Sequence, residues 1–251
     1  TGKVKAIANL GRGKDGNYYE NYNYAISPSE PGSTFKLATM LALLEDKKVG
    51  LNNMVNISGG TWKVAGQTVY DSENHGSSDV TVQHAFELSS NVAMAKMAVQ
   101  HYSGNPMQFI NHLKNMGMDN VTGIDLSGEG RPLIYKPGHK LWGPSTIPWM
   151  AFGYGVLMTP LQTLTFYNAV ANGGEMVKPK FIDRISSFGE EPVKHFKKEV
   201  INPSICSQET LKQVQKMMFN VVDKKWGTAH KIKDKNFFLF YGENQGYKNE
   251  V

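Results

Sequence analysis

Two hydrophobic periodicities alternate along this chain. Val4–Leu10, apolar but for Lys5 and Asn9, reads as an alternating edge or central strand. Leu37, Met40, Leu41 and Leu44 then recur at helical spacing and predict a helix buried in a core. Val82–Leu88 and Val92–Val99 are two more helix-like runs, split by Ser89-Ser90-Asn91, which suggests a turn between two helices. Thr81 is placed to cap the first of them. Met107–Met116 predicts a helix with Phe109, Ile110 and Leu113 on its apolar side. Thr159 and Pro160 supply an N-cap and a first-turn proline for a helix running to about Ala171, where Asn172-Gly173 ends it. Ile182–Phe188 suggests a strand, and Leu211, Val214, Met218 and Val221 mark a last amphipathic helix. The stretches between are polar or rich in glycine and proline. Gly11–Ser29 carries Tyr18, Tyr19, Tyr22 and Tyr24, which can line a cleft or pack on the domain surface. Leu51–Gly76 reads as short strands and turns, and Thr122–Pro148 as a long loop crossing the surface.

A length of 251 residues suits one large domain with a substantial core. The twelve methionines are expected to fill that core. A net charge of +5 is a mild excess, and no nucleic-acid-binding pattern accompanies it. The single cysteine, Cys206, excludes an internal disulfide and a metal site built from several thiolates. The histidines do not cluster like ligands; His75 and His84 read as loop and surface residues. No run reaches the roughly 18 apolar residues of a membrane span, and no signal peptide is visible. The chain begins with Thr1 and enters a strand at once, so it reads as a piece cut near a domain edge.

Candidate chemistry gathers in Glu30-Pro31-Gly32-Ser33-Thr34-Phe35-Lys36-Leu37. Ser33 and Lys36, at i and i+3, share one helix face, the spacing at which a lysine can take the proton of a serine nucleophile. Pro31 and Gly32 can form the entry turn. A charged lysine is no base, but burial and the positive end of a helix both disfavour the ammonium. The free N–H groups of the same helix start can stabilise an oxyanion. Ser33 as a helix cap and Lys36 as a solvated lysine is the bland alternative for the tetrapeptide alone. Ser89-x-Asn91 follows as a second element: Ser89 can relay a proton to a leaving amine, and the Asn91 amide can hold Lys36 and a substrate backbone. Its bland alternative is an N-cap for the second helix.

Ser-x-x-Lys followed by Ser-x-Asn is part of the motif set of penicillin-binding proteins and serine β-lactamases. From these residues the chain resembles the transpeptidase domain of class B penicillin-binding proteins, most closely the cell-division (septal) peptidoglycan D,D-transpeptidase. Further similar segments are Thr1–Asn9, Gly153-Tyr154-Gly155 with Thr159-Pro160-Leu161-Gln162, and Ala171-Asn172-Gly173-Gly174. The resemblance implies an α/β fold with a mainly antiparallel sheet flanked by helices, plus a helical lobe carrying Ser89–Asn91. One transpeptidase domain is expected over residues 1–251, truncated at both ends, with C-terminal strands missing. It also implies catalytic roles for Ser33, Lys36, Ser89 and Asn91, with no metal or organic cofactor. The implied partners are a peptidoglycan stem peptide ending in D-Ala-D-Ala, β-lactam antibiotics and, through regions outside this chain, membrane proteins of the division machinery. The implied location is the outer face of the cytoplasmic membrane, with an N-terminal anchor outside this chain. A β-lactamase, a penicillin sensor or a catalytically impaired fragment of the same fold are the alternatives.

The third family element, Lys-Thr-Gly, is absent from the sequence. In relatives it lies on a strand beside the nucleophile and binds the substrate carboxylate, and a nearby backbone N–H completes the oxyanion hole. Lys225-Trp226-Gly227-Thr228-Ala229 looks like a degraded copy, but Gly227-Thr228-Ala229 better fits a turn that precedes that strand. Asn236–Phe240 then reads as the strand, which places the motif near Gly242-Glu243-Asn244-Gln245. Reading those codons one base later permits Gly-Lys-Thr but not the glycine that must follow, so a frameshift recovers only part of the motif.

Overall fold

The computed structural model describes residues 1–76, 78–187 and 192–233. Among them are seven α-helices and twelve short strands, a mixed α/β architecture. The first hairpin pairs β1 (Gly11–Arg12) with β2 (Tyr18–Tyr19). The helix α1 (Lys36–Glu45) follows a 3₁₀ turn over Gly32–Phe35. Next come β3 (Met54–Asn56), the hairpin of β4 (Thr61–Val64) and β5 (Gln67–Tyr70), and β6 (Asp79–Thr81), which pairs back on β3. Helices α2 (Val82–Glu87), α3 (Asn91–Tyr102) and α4 (Pro106–Asn115) form the helical part. The long loop after them contains β7 (Leu133–Ile134) and ends in α5 (Thr146–Met150). β8 (Val156–Leu157) pairs with β7 and leads into α6 (Pro160–Ala171). β9 (Met176–Val177), β10 (Arg184–Ser186), β11 (Pro192–His195) and β12 (Val200–Asn202) make two antiparallel pairs, β10 with β11 and β12 with β9. The last long helix is α7 (Gln208–Asp223).

Helix α1 is the axis of the core. Every residue from Lys36 to Leu44 is buried, and the helix packs on α3, α4 and α7. The stripe of Leu37, Met40, Leu41 and Leu44 predicts one apolar face. The structure buries Ala38, Ala42 and Leu43 as well, because helices surround α1 on several sides. Met40, Met94, Met97, Met116, Met118, Met150 and Met217 are core residues, as expected for gap-filling side chains. The helix ends follow their chemistry. The Thr81 hydroxyl accepts the His84 N–H at 3.1 Å. Thr159 and Gln162 close a reciprocal capping box at the start of α6, and Asn172 ends that helix before Gly173 in the left-handed region.

Several expectations differ from the structure. Val4–Leu10 forms no ladder among the described residues; a parallel bridge of Lys3 to Lys180 and the Val4 N–H to the Lys180 carbonyl are its sheet-like contacts. Alternation makes a segment fit to be a strand, but a strand also needs a partner for its N–H and C=O groups. The strands pair in twos and are antiparallel. The long loop is interrupted by β7 and the start of α5, and it buries Ile124 and Ile134. Tyr18, Tyr19, Tyr22 and Tyr24 are exposed rather than packed down. Asn236–Phe240 and Gly242–Gln245 lie outside the described residues. Among the described residues no helix is long and apolar enough to cross a membrane.

One polar cluster locks α1 to its neighbours. Asp46, the C-cap of α1, accepts the Tyr102 hydroxyl (2.9 Å), the Gln108 amide (2.9 Å) and His112 Nε2 (2.8 Å). Asp46→Ala leaves three donors from α3 and α4 without their acceptor. Urea unfolding should read a loss of about 2–3 kcal/mol, larger than a surface substitution gives.

Candidate active site

The chain enters the site through a tightly held turn. Gly32 sits at φ +55° and donates its N–H to the Gly153 carbonyl at 3.0 Å. Gly153 is itself at φ +90°, and a Cβ there would lie 2.0 Å from the Gly32 oxygen, so only glycine allows this approach. The Gly155 N–H donates to Glu30 Oε1 at 2.8 Å, Ser29 bridges Met158 on both sides, and the Tyr167 hydroxyl donates to the Thr34 carbonyl at 2.9 Å. The Gly153-Tyr154-Gly155 segment, singled out by resemblance, therefore fixes the backbone on which Ser33 sits.

Ser33 lies in the 3₁₀ turn rather than in α1, and the Lys36 N–H donates to its carbonyl. In a 3₁₀ turn residues at i and i+3 stack, which puts Ser33 and Lys36 on one side. Ser33 is exposed, and its hydroxyl makes no hydrogen bond among the described residues. Lys36 is 2% exposed. Its Nζ donates to the Ser89 carbonyl oxygen and, at 2.9 Å, to Ser89 Oγ. Burial lowers the Lys36 pKa from 10.5 to about 8, against an opposing pull from the Asp71 carboxylate. An ammonium has three N–H donors, a neutral amine two donors and a lone pair. Ser89 accepts two, so the neutral form is satisfied and its lone pair is free to take a proton.

Ser89 occupies an unusual backbone position. It follows Leu88, the C-cap of α2, at φ +56°. The Ser89 N–H donates to Phe86 and the Ser90 N–H to Ala85, the double bond pattern that closes a helix with a left-handed residue. Glycine is the usual occupant, so the hydroxyl is presented to Lys36 at a cost in backbone strain. Ser90 then caps α3, accepting the Ala93 N–H at 3.0 Å. The bland reading of this element as an N-cap holds for Ser90, while Ser89 faces Lys36. The Asn91 amide nitrogen donates to the Tyr70 carbonyl at 2.7 Å. The expectation that Asn91 holds Lys36 is corrected: Ser89 does so, because Asn91 is the first residue of α3 and reaches the end of β5.

Asp71, directly after β5, accepts the Ser90 hydroxyl at 2.8 Å and the Val92 N–H at 2.9 Å. The sequence shows it only as the start of a polar loop, with no spacing to single it out. Glu87 is a second residue that sequence reasoning missed. Buried at the end of α2, its carboxylate accepts the Asn220 amide (2.7 Å) and the Trp226 indole N–H (2.6 Å). The Thr228 N–H donates to its carbonyl. Residues 225–229 are thus a turn docked on α2, in keeping with the turn reading of Gly227-Thr228-Ala229.

An open, mainly apolar cleft of about 540 Å³ adjoins the Ser33 turn, bordered by Glu30, Pro31, Thr34, Leu164, Tyr167 and Met218; none of the four candidate residues lines it. A larger cleft of about 750 Å³ lies between residues 1–8 and α6 and touches none of the four candidate residues.

Three comparisons agree on what this arrangement is similar to. The family model described as the penicillin binding protein transpeptidase domain matches residues 1–238. Stage V sporulation protein D of Bacillus subtilis is 30% identical over 229 residues, covering 83% of this chain and 34% of that protein. The peptidoglycan D,D-transpeptidase FtsI of Escherichia coli is 27% identical over 156 residues, covering 62% of this chain and 25% of that protein. The crystal structure of penicillin-binding protein 3 from Mycobacterium tuberculosis in complex with aztreonam is 28% identical with a TM-score of 0.67, covering 80% of this chain and 43% of that one. The chain spans about a third of the length of the first of these relatives.

Two variants isolate the strain at Ser89. Ser89→Gly and Ser89→Ala both remove the hydroxyl that faces Lys36, but only glycine relieves the positive φ. The glycine variant should be about 1 kcal/mol more stable than the alanine variant in denaturant titration. Equal stabilities would mean that the left-handed backbone costs nothing here.

Proposed function

Because this chain belongs to the penicillin-binding protein transpeptidase domain family, we propose that it forms the catalytic part of a peptidoglycan D,D-transpeptidase. The observation that carries this reading is the buried Lys36 amine, held by Ser89 one 3₁₀ turn after the exposed Ser33. Neutral Lys36 takes the Ser33 proton as Ser33 Oγ attacks the carbonyl of the penultimate D-alanine of a stem peptide. The N–H of Ser33 itself stabilises the resulting oxyanion, the Gly32 N–H being already held by the Gly153 carbonyl. The proton passes from Lys36, through the Ser89 hydroxyl, to the departing nitrogen, and terminal D-alanine leaves. The amine of a neighbouring stem then attacks the acyl-enzyme carbonyl; the C–N bond of the cross-link forms, the ester bond to Ser33 Oγ breaks, and the amine's proton returns through Ser89 and Lys36 to Ser33 Oγ. In this reading Asn91, whose amide nitrogen is held by the Tyr70 carbonyl, contacts the substrate backbone.

β-Lactams acylate the same serine in this reading. Septal synthesis is the proposed duty, in line with relatives named for sporulation and for D,D-transpeptidation. A membrane anchor outside this chain and division partners outside this domain complete the proposal. The missing Lys-Thr-Gly favours a second reading, a catalytically impaired domain of the same fold.

Benzylpenicillin should add to Ser33, seen as a mass increase on the intact protein, and Ser33→Ala should abolish the adduct. Undiminished labelling of that variant would refute the nucleophile. Acylation should rise with pH around a midpoint of about 8, where Lys36 loses its proton, and Lys36→Ala should be severely slowed. The sign extends to stability. The unfolded chain, whose lysine titrates near 10.5, binds more protons than the folded one between about 8 and 10.5, so the cost of burying this group shrinks as pH rises through that window and stability rises with it.

The absent motif sets the rate. One lost oxyanion donor costs about 10²–10³ in rate. Penicillin should therefore label this chain roughly a hundredfold or more slowly than a relative that carries all three elements. Equal rates would mean that another segment supplies the third element.

A further inference from the structure

We propose that Asp71 is the positioning residue of this site: it clamps the turn between α2 and α3 to the end of β5 and so holds Ser89 against Lys36. The proposal rests on the acylation reading above. The geometry is specific. The Asp71 N–H donates to the Gly60 carbonyl at 2.8 Å, which fixes its backbone to the turn before β4. Gly60 is at φ +84°, and a Cβ there would lie only 3.4 Å from the Asp71 Cβ. One carboxylate oxygen accepts the Ser90 hydroxyl and the other the Val92 N–H, so the charge straddles the N-terminus of α3, where an anion is favoured. The preceding residue, Tyr70, takes the Asn91 amide on its carbonyl. Two consecutive residues thus hold Ser90, Asn91 and Val92. Ser89, in its strained left-handed conformation, is bracketed between this clamp and the end of α2.

The same carboxylate acts on Lys36 through space. Burial drives the amine toward its neutral form, and Asp71 opposes that. The clamp therefore keeps Lys36 basic enough to accept a proton while burial keeps it neutral enough to be a base. Other charges on the elements packed here face elsewhere. Lys96 of α3 is bonded to Asn56 and Ser58 and interacts with Asp79. Glu87 of α2 faces Asn220 and Trp226, and Glu73 is exposed.

Asp71→Asn and Asp71→Ala separate the two roles. The asparagine keeps an oxygen for the Val92 N–H but loses the charge; the alanine loses both. Lysine labelled with ¹³C at Cε lets NMR follow the Lys36 titration without any substrate. Its midpoint should fall below the wild-type value of about 8 in Asp71→Asn. The pH–rate profile of benzylpenicillin acylation should move down in pH with it. Asp71→Ala should lower acylation by about a hundredfold across the profile, as expected for a misplaced catalytic group. It should also speed amide exchange at Val92 and Ala93, while Asp71→Asn retains more of the rate. An unchanged Lys36 midpoint in Asp71→Asn, or wild-type acylation by Asp71→Ala, would overturn the proposal. A wild-type chain that is never acylated would instead overturn the functional reading, and the NMR midpoints alone would then decide the role of Asp71.

Discussion

The site depends on a single buried amine. Lys36 opens a helix that is enclosed along nearly its whole length, so its nitrogen is largely cut off from solvent. An amine in that position needs acceptors within reach, and Ser89 supplies two from one residue. That requirement shapes the backbone. To aim both its carbonyl and its hydroxyl at Lys36, Ser89 closes α2 in a left-handed conformation that glycine would adopt more easily. Burial supplies the chemistry and strain supplies the geometry, each needing the other to persist.

The remaining elements hold these two residues in register. On one side, glycine packed against glycine at Gly32 and Gly153 brings the segment before β8 up to the Ser33 turn. On the other, Asp71 and Tyr70 tie the start of α3 to the β4–β5 hairpin. Behind the site, Asp46 and Glu87 satisfy donors from helices distant in sequence. Each contact joins segments that are far apart along the chain, so the site forms only once the helices around α1 have assembled.

Much of this was legible in residue order. Thr159-Pro160 and Asn172-Gly173 marked both ends of α6, because caps act through local backbone groups. Phe109, Ile110 and Leu113 marked the buried side of α4 in the same way. Ser33, Lys36, Ser89 and Asn91 were singled out as candidates by their types and order, and the structure brings Lys36 and Ser89 into contact. The strand expected over Val4–Leu10 was not found, since alternation does not supply a neighbour. The role given to Asn91 was likewise off: a side chain at the first position of a helix looks outward to whatever packs at that end, here the Tyr70 carbonyl.

The sequence by itself determined α1 to α4, α6 and α7, the caps at Thr81, Thr159 and Asn172, the family and the order of the four candidate residues, because periodicity and capping are short-range and motifs are read in order. Tertiary structure alone decided which hydroxyl meets Lys36, why Gly153 must be glycine, and that Asp71 belongs to the site. Those facts depend on distances between residues tens of positions apart and on the loss of water around one amine. Neither is written in any local window of the chain.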